Sequence, residues 1–134
     1  MRNTFNKNER LCSRKEIEVL FANKNKTFSH PFLIRWQVVQ ANSSTPAKLL
    51  IIVPKRKLRH AVDRNRTKRL IRECYRQQKH TLYTFLNNQI SALNIALYYT
   101  DTKCPDYHTL FEQTDKALAK LMAELKKNRT DAQQ

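Results

Sequence analysis

One stretch near the middle of the chain constrains the fold most, because it is highly charged and must still pack against a core. Between positions 55 and 79 there are eleven Lys or Arg and two acids, so this window supplies +9 of the formal +15. Its second half has no Gly or Pro and consists of good helix formers, which predicts an α-helix. At about 100° per residue, one arc of this helix is apolar and should face a core. That arc consists of Leu70, Ile71, Cys74 and Tyr75.

The opposite arc, which we call the basic face, consists of Asn65, Lys68, Arg69, Arg72 and Arg76. Like charges one turn apart repel each other, and the window has too few acids to pair with them. An external polyanion is therefore the natural counter-charge. Arginine predominates over lysine on this face, and its planar guanidinium suits bidentate contacts with phosphate. The pattern favours a nucleic-acid partner over a merely solvated surface.

Composition excludes several other classes of site. The chain has no Gly, which argues against a P-loop, a Rossmann turn or any other Gly-rich phosphate loop. Its three Cys and four His lack metal-ligand spacing, and an odd number of widely spaced Cys suggests reduced thiols. The longest apolar runs are too short to cross a bilayer, and the polar N-terminus does not resemble a signal peptide. We expect a cytoplasmic protein with no membrane partner.

A chain of 134 residues predicts a single domain over 1–134, with residues 1–10 and 128–134 flexible. Ser13 to Glu16 fits a capping box that starts a short first helix, which should end within 23–26. Residues 32–39 alternate with a period of two, which predicts a strand. Its bulkier apolar set, Phe32, Ile34, Trp36 and Val38, should face the core. Leu33 and Arg35 should face the first helix or a groove.

The remaining segments predict one more strand before the basic helix and two elements after it. Residues 42–46 form a turn, and Leu49–Val53 is a buried strand expected to pair antiparallel with the first. Gln77–Asn88 continues or restarts the basic helix, and Ile95–Tyr99 is the last strand. Cys104–Asp106 opens a final helix with Pro105 in its first turn. The apolar stripe of that helix runs from Tyr107 to Leu125.

The basic helix also carries a recognisable motif. Arg64-Asn65-Arg66 follows Ala61-Val62-Asp63 and precedes Thr67-Lys68-Arg69-Leu70-Ile71-Arg72-Glu73. This run resembles the signature of the protein subunit of bacterial ribonuclease P, and the order of predicted elements is similar to that family's. The resemblance implies an α/β (α+β) sandwich with a small mixed sheet packed with helices in the order α-β-β(-β)-α-β-α. A domain of a small-subunit ribosomal protein has a similar fold.

The resemblance also implies a function. Members of this family bind a catalytic RNA, and the holoenzyme is an endoribonuclease that removes the 5′ leader from precursor tRNA. The RNA supplies the active site and holds Mg²⁺, so the protein alone is expected to have no catalytic residue and to bind no metal or other cofactor. The expected partners are the catalytic RNA and precursor tRNA, and no DNA is expected.

The resemblance, carried over by position, implies two sets of site residues, and the charge of the basic stretch extends the first set. The expected RNA-binding set is Lys55, Arg56, Lys57, Arg59, Arg64, Asn65, Arg66, Lys68, Arg69, Arg72 and Arg76. The cleft expected to take the leader is lined by Ile17, Phe21, Leu33, Arg35, Val53 and Lys57. This chain departs from the family pattern at four places, one of which is the strand Leu49–Val53, where many members have a Gly and this chain has none. Ile17 and Arg35 stand where aromatic residues are common, and Arg59 stands where many members have Gly.

Two other functions are compatible with parts of this sequence. A protein nuclease could use Asp63 and Glu73 with a metal, but ten residues on one helix separate them by about 15 Å, too far to share an ion. Asp101 and Asp106 are the other candidate carboxylates for such a site. A general RNA-binding protein of ribosomal type fits the charge equally well. Only the context of the Arg-Asn-Arg tripeptide argues against it.

Overall fold

The computed structural model describes residues 9–22, 24–39, 46–87 and 92–132. It contains three helices and four strands within those ranges. They are, in chain order, α1 (Arg14–Ala22), β1 (Lys26–Ser29), β2 (Phe32–Val39), β3 (Ala47–Ile52), α2 (Ala61–Asn87), β4 (Ala92–Tyr99) and α3 (Tyr107–Ala132). The predicted turn at 42–46 falls outside the described residues except for Pro46. Within the described residues, no helix is long and apolar enough to span a membrane.

The four strands form one mixed sheet in the order β1-β2-β4-β3. β2 is antiparallel to β1 and to β4, whereas β3 is parallel to β4. The prediction that the strand at 32–39 pairs antiparallel with the strand at 49–53 is wrong, because β4 lies between β2 and β3. Parallel neighbours require a long crossover, and the 27-residue helix α2 provides it between β3 and β4.

The main core lies on the face of the sheet covered by α2 and α3. Phe32, Ile34 and Trp36 of β2 are buried there, as predicted, among Ile71 of α2 and Leu121 of α3. The predicted alternation of β2 fails at one end, where Val38 is 53% exposed. β1 pairs with β2 only as far as Arg35, so Val38 lies beyond the end of that neighbouring strand.

Helix α1 covers the other face of the sheet. Leu20 of α1 is buried against Leu11 and Ala96, and the half-buried Ile17 and Leu50 pack beside them. The helix begins as the capping box predicts, since the Ser13 hydroxyl accepts a hydrogen bond from the Glu16 amide at 3.3 Å. Helices on both faces of a small mixed sheet confirm the predicted α/β sandwich.

The N-terminal segment is anchored earlier than predicted. Glu9 is 6% exposed, and its carboxylate lies 2.6 Å from the Lys79 ammonium of α2. The hydroxyl of Tyr83 donates a second hydrogen bond to the same carboxylate. The Leu11 amide donates to the carbonyl of Leu49 at 2.9 Å, which ties the segment to the edge of β3. The flexibility of residues 1–10 stays a prediction; residues 9 and 10 lie in the described part of the chain, and residues 1–8 lie outside it.

The last helix differs from its predicted bounds at both ends. Asp106 caps α3 by accepting a hydrogen bond from the Thr109 amide at 3.2 Å, so Pro105 precedes the helix instead of lying in its first turn. The helix continues to Ala132, past the predicted fraying point at residue 128. Its predicted apolar stripe is confirmed, with Leu110, Leu118 and Leu121 buried in the main core.

Candidate nucleic-acid interface

Residues 54–60 form the loop before α2, which we call the basic loop. Its conformation is fixed by the buried side chain of Leu58 and by the carbonyl of Pro54. The Pro54 carbonyl accepts hydrogen bonds from the amides of Lys57 at 3.0 Å and Leu58 at 3.2 Å. Leu58 is 5% exposed and belongs to the main core. Because the loop is fixed through its backbone and Leu58, its charged side chains are left at the surface. Lys55, Arg56 and Arg59 are exposed, and Lys57 is half-buried.

Arg64 joins this loop to the start of α2. Its Nη1 donates to the carbonyls of Leu58 at 2.9 Å and Arg59 at 2.7 Å. Arg64 was predicted only as an RNA-binding residue, yet one of its nitrogens holds the loop backbone. The loop and the first turn of α2 are therefore one connected surface, and the position of Arg59 depends on Arg64.

The two arcs of α2 separate as predicted. Ile71, Cys74 and Tyr75 are fully buried, and Leu70 packs against the same core. Burial raises the pKa of the Cys74 thiol to about 11. The basic face lies at the surface, with Asn65 and Arg69 exposed and the others half-buried: Lys68, Arg72 and Arg76. Arg66, the other arginine of the motif, is also exposed.

The far end of the basic face has an internal partner. Glu73 accepts hydrogen bonds from Arg76 and, at 2.9 Å, from the Gln77 side chain. The bond from Arg76 is the main cause that lowers the pKa of Glu73, and the same bond raises the pKa of Arg76. This end of the basic face therefore carries less uncompensated positive charge than the end near Arg64–Arg66, which we call the motif end. Glu73 therefore orients a neighbouring arginine.

A second candidate surface lies beside α1 on the opposite face of the sheet. The Arg35 guanidinium lies 5.5 Å from the centre of the Phe21 ring, and Phe21 is 39% exposed. Leu33 points to the same face, two residues along β2. Ile17 lies one turn before Phe21 but packs into the small core under α1. Four of the six residues predicted to line the cleft are therefore close to one surface of the sheet.

The other two residues predicted for the cleft behave differently. Val53 is 5% exposed and belongs to the main core, so it lies on the far side of the sheet from Phe21. Lys57 lies in the basic loop, with its amide bound to Pro54. The loop reaches the sheet face through Arg56 instead, whose Nη2 donates to the hydroxyl of Tyr98 at 3.0 Å.

Tyr98 and Phe28 are surface aromatics of this face that the sequence reasoning missed. One row of residues lies in register across all four strands: Phe28, Leu33, Tyr98 and Ile52. Phe28 is 48% exposed, while the other three are half-buried. The position of Tyr98, one residue out of step with the buried Leu97 and Tyr99, was a signal available in the sequence.

The two carboxylates that a nuclease site on α2 would use are not close to each other. Asp63 and Glu73 both lie on the uninterrupted α2, ten residues or about 15 Å apart. Within the described residues, no three His, Cys, Asp or Glu side chains form a group that could hold a metal ion.

Comparison with known protein families assigns the chain to a family. The family model described as Ribonuclease P matches residues 5–123, which include both candidate surfaces. The chain belongs to the ribonuclease P protein family. The ribonuclease P protein component of Porphyromonas gingivalis is 31% identical over 115 residues, which cover 86% of this chain and 84% of that protein. The component from Chlorobium phaeobacteroides is 36% identical over 85 residues, covering 61% of this chain and 58% of that protein.

Solved structures of ribonuclease P proteins share the fold. The protein from Staphylococcus aureus superimposes with a TM-score of 0.62 at 18% identity, covering 84% of this chain and 94% of that one. The protein from Thermotoga maritima gives a TM-score of 0.60 at 20% identity, covering 82% and 94%. The sandwich of three helices and a four-stranded mixed sheet is therefore the fold of the ribonuclease P protein family.

Proposed function

We propose that this chain is the RNA-binding subunit of a ribonuclease P that removes the 5′ leader from precursor tRNA. Membership of the family supports this role. The observation that carries it is the surface formed by the basic loop and the motif end of α2, which Arg64 joins through two backbone carbonyls. Ten Lys or Arg of the predicted RNA-binding set lie in the basic loop and along α2, and Glu73 directly neutralises one of them, Arg76. A phosphate backbone supplies the missing counter-charge.

In this proposal the protein contributes no catalytic group. The catalytic RNA supplies the active site and holds Mg²⁺, and the protein screens phosphate repulsion where the RNA and its substrate meet. The separation of Asp63 from Glu73 on α2, and the engagement of Glu73 with Arg76, favour this division of labour over a protein nuclease. The place of action that we infer is the cytoplasm.

The leader path that we infer crosses the sheet face beside α1. Single strands are held by positive charge together with aromatic rings, and each stacked base contributes about 1–3 kcal/mol. Arg35 and Phe21 already form a cation–π pair at this surface. Arg56 places a second guanidinium against Tyr98 on the same face. Arg35 therefore offers charge and a planar surface at a position where many family members have a ring.

A comparison of precursor and mature tRNA tests this function. The complex is reconstituted from this chain and a bacterial ribonuclease P RNA, and the affinities for the two tRNAs are measured with wild-type protein and with Arg35→Ala. The wild-type complex should prefer the precursor. Arg35→Ala should weaken precursor binding about fivefold or more, as expected for the loss of one stacking contact, and leave mature tRNA unchanged. Lys116→Ala, which removes an exposed charge on α3, is the matched control.

Two outcomes would contradict the proposal in different ways. A wild-type complex that binds both tRNAs equally would show that the protein does not recognise the leader, and a general RNA-binding role would then explain the basic surface. Equal losses for both tRNAs with Arg35→Ala, or no loss for either, would place Arg35 outside the leader path.

A further inference from the structure

A small cavity lies where the N-terminal segment, the edge of β3 and α2 meet. Its volume is about 150 Å³. The lining residues are Arg10, Leu11, Cys12, Leu49, Leu50, Ile51, Lys68 and Arg72. Ligand pockets for drug-sized molecules are typically about 300–1,000 Å³, so this cavity suits a small group, and its cationic lining favours an anion. Three of its side chains are cationic, and none of the described residues lining it is acidic.

Arg10 is held at this cavity from both sides. The preceding residue, Glu9, is buried with its carboxylate on Lys79 and Tyr83 of α2. The following residue, Leu11, is 2% exposed and bonds through its amide to β3. A segment fixed at both neighbouring positions leaves the backbone of Arg10 little freedom. Arg10, itself exposed, lines the cavity together with Lys68 and Arg72 of α2.

This placement brings like charges together. The pKa of Arg72 is lowered from its usual value, first by burial and then by the charge of Arg10. Lys68 lies one turn before Arg72 on the same face of α2 and lines the same cavity. The protein thus holds three cations around a space of limited size, an arrangement that an anion in the cavity would stabilise.

We propose that this cavity binds one backbone phosphate of the RNA partner, held by Arg10 from the N-terminal segment and by Lys68 and Arg72 from α2. The planar guanidinium groups of the two arginines suit the oxygens of a phosphate, and the lysine supplies a point charge. The segment before α1 is then part of the RNA-binding surface, next to the motif. This inference rests on the proposed function for the identity of the RNA.

The cavity itself is tested with inorganic phosphate and no RNA. The side-chain Nε–H signals of the arginines are followed by NMR during a phosphate titration at constant ionic strength. The signals of Arg10 and Arg72 should shift along one saturating curve. In Arg10→Gln, the affinity reported by Arg72 should fall about tenfold or more, as expected for a lost charge-assisted hydrogen bond, while Lys116→Gln should match wild type. Equal, unsaturated shifts of all the surface arginines would overturn the site and indicate an adventitious ion only.

The RNA partner is tested through the salt dependence of binding. A bacterial ribonuclease P RNA should bind Arg10→Gln with a log K against log [salt] slope about 1 unit shallower than wild type, and Lys116→Gln should keep the wild-type slope. An unchanged slope for Arg10→Gln would overturn the proposal that RNA phosphate occupies the cavity. That result is distinguishable from failure of the proposed function, because leader removal by the wild-type complex is measured separately.

Discussion

Loss of the buried ammonium of Lys79 should destabilise the whole domain. The Lys79 and Glu9 side chains are 3% and 8% exposed, and their charged atoms lie 2.6 Å apart although 70 positions separate them in the chain. Lys79→Met keeps the length and apolar stem of the side chain but leaves the Glu9 carboxylate without this cation. Removing one partner of a buried pair costs about 3–5 kcal/mol, because the other charge stays in a poorly solvated site.

The cost is large relative to the stability of a domain this size, which is typically about 5–15 kcal/mol. Urea unfolding followed by circular dichroism measures it directly. Lys116→Met, on the exposed surface of α3, should change the free energy of unfolding by less than about 0.5 kcal/mol. The double variant Glu9→Gln with Lys79→Met should recover at least half of the loss, since it removes both charges and keeps an acceptor for the Tyr83 hydroxyl.

Two results would refute this reasoning. A loss below about 1 kcal/mol for Lys79→Met would mean that the carboxylate is solvated and that Glu9 does not anchor the N-terminal segment. A double variant as unstable as the single one would mean that Lys79 acts through packing of its stem and not through its charge.

Three further outcomes are expected. Ile71→Ala should destabilise the fold by about 2–5 kcal/mol, because it leaves a cavity in the main core. Arg72→Ala should leave the urea midpoint of unfolding unchanged or slightly raised but weaken RNA binding. An Arg72→Ala variant that unfolds would mean that the two arcs of α2 are misassigned. Binding of the catalytic RNA should fall with salt at a slope of roughly −5 to −7 if the basic surface neutralises about six to eight phosphates, and a slope shallower than about −2 would argue against that surface. At pH 8 a thiol reagent should modify the exposed Cys12 and Cys104 but spare Cys74. Cys74 is buried, and its pKa of about 11 keeps the thiol protonated. Rapid modification of all three cysteines would contradict this burial.

Local periodicity in the sequence predicted the features that depend on one element at a time. The burial of Ile71 and the exposure of Arg69 follow from the 3.6-residue period of α2. The opposite orientations of Trp36 and Arg35 follow from the two-residue period of β2. These patterns are strong because each element has one face in the core and one outside it.

The features that the sequence did not predict depend on pairings between distant segments. Residues 49–53 are apolar without interruption, so no alternation shows that Val53 belongs to the main core and not to the cleft. The expectation that β2 and β3 pair antiparallel, as strands adjacent in sequence often do, is wrong because β4 lies between them. Glu9 lies in a polar segment and Lys79 in a basic helix, so the sequence indicates a surface position for each of them. In the fold the two side chains form a buried ion pair.

The most direct test of the central claim is the rate of leader removal from precursor tRNA at low salt, measured with a bacterial ribonuclease P RNA alone, with this protein alone, and with both. We expect faster cleavage at the mature 5′ end when the protein is added to the RNA, and no cleavage by the protein alone. Cleavage by the protein alone, or a rate with the RNA that the protein does not change, would contradict the assignment of this chain as the RNA-binding subunit of the enzyme.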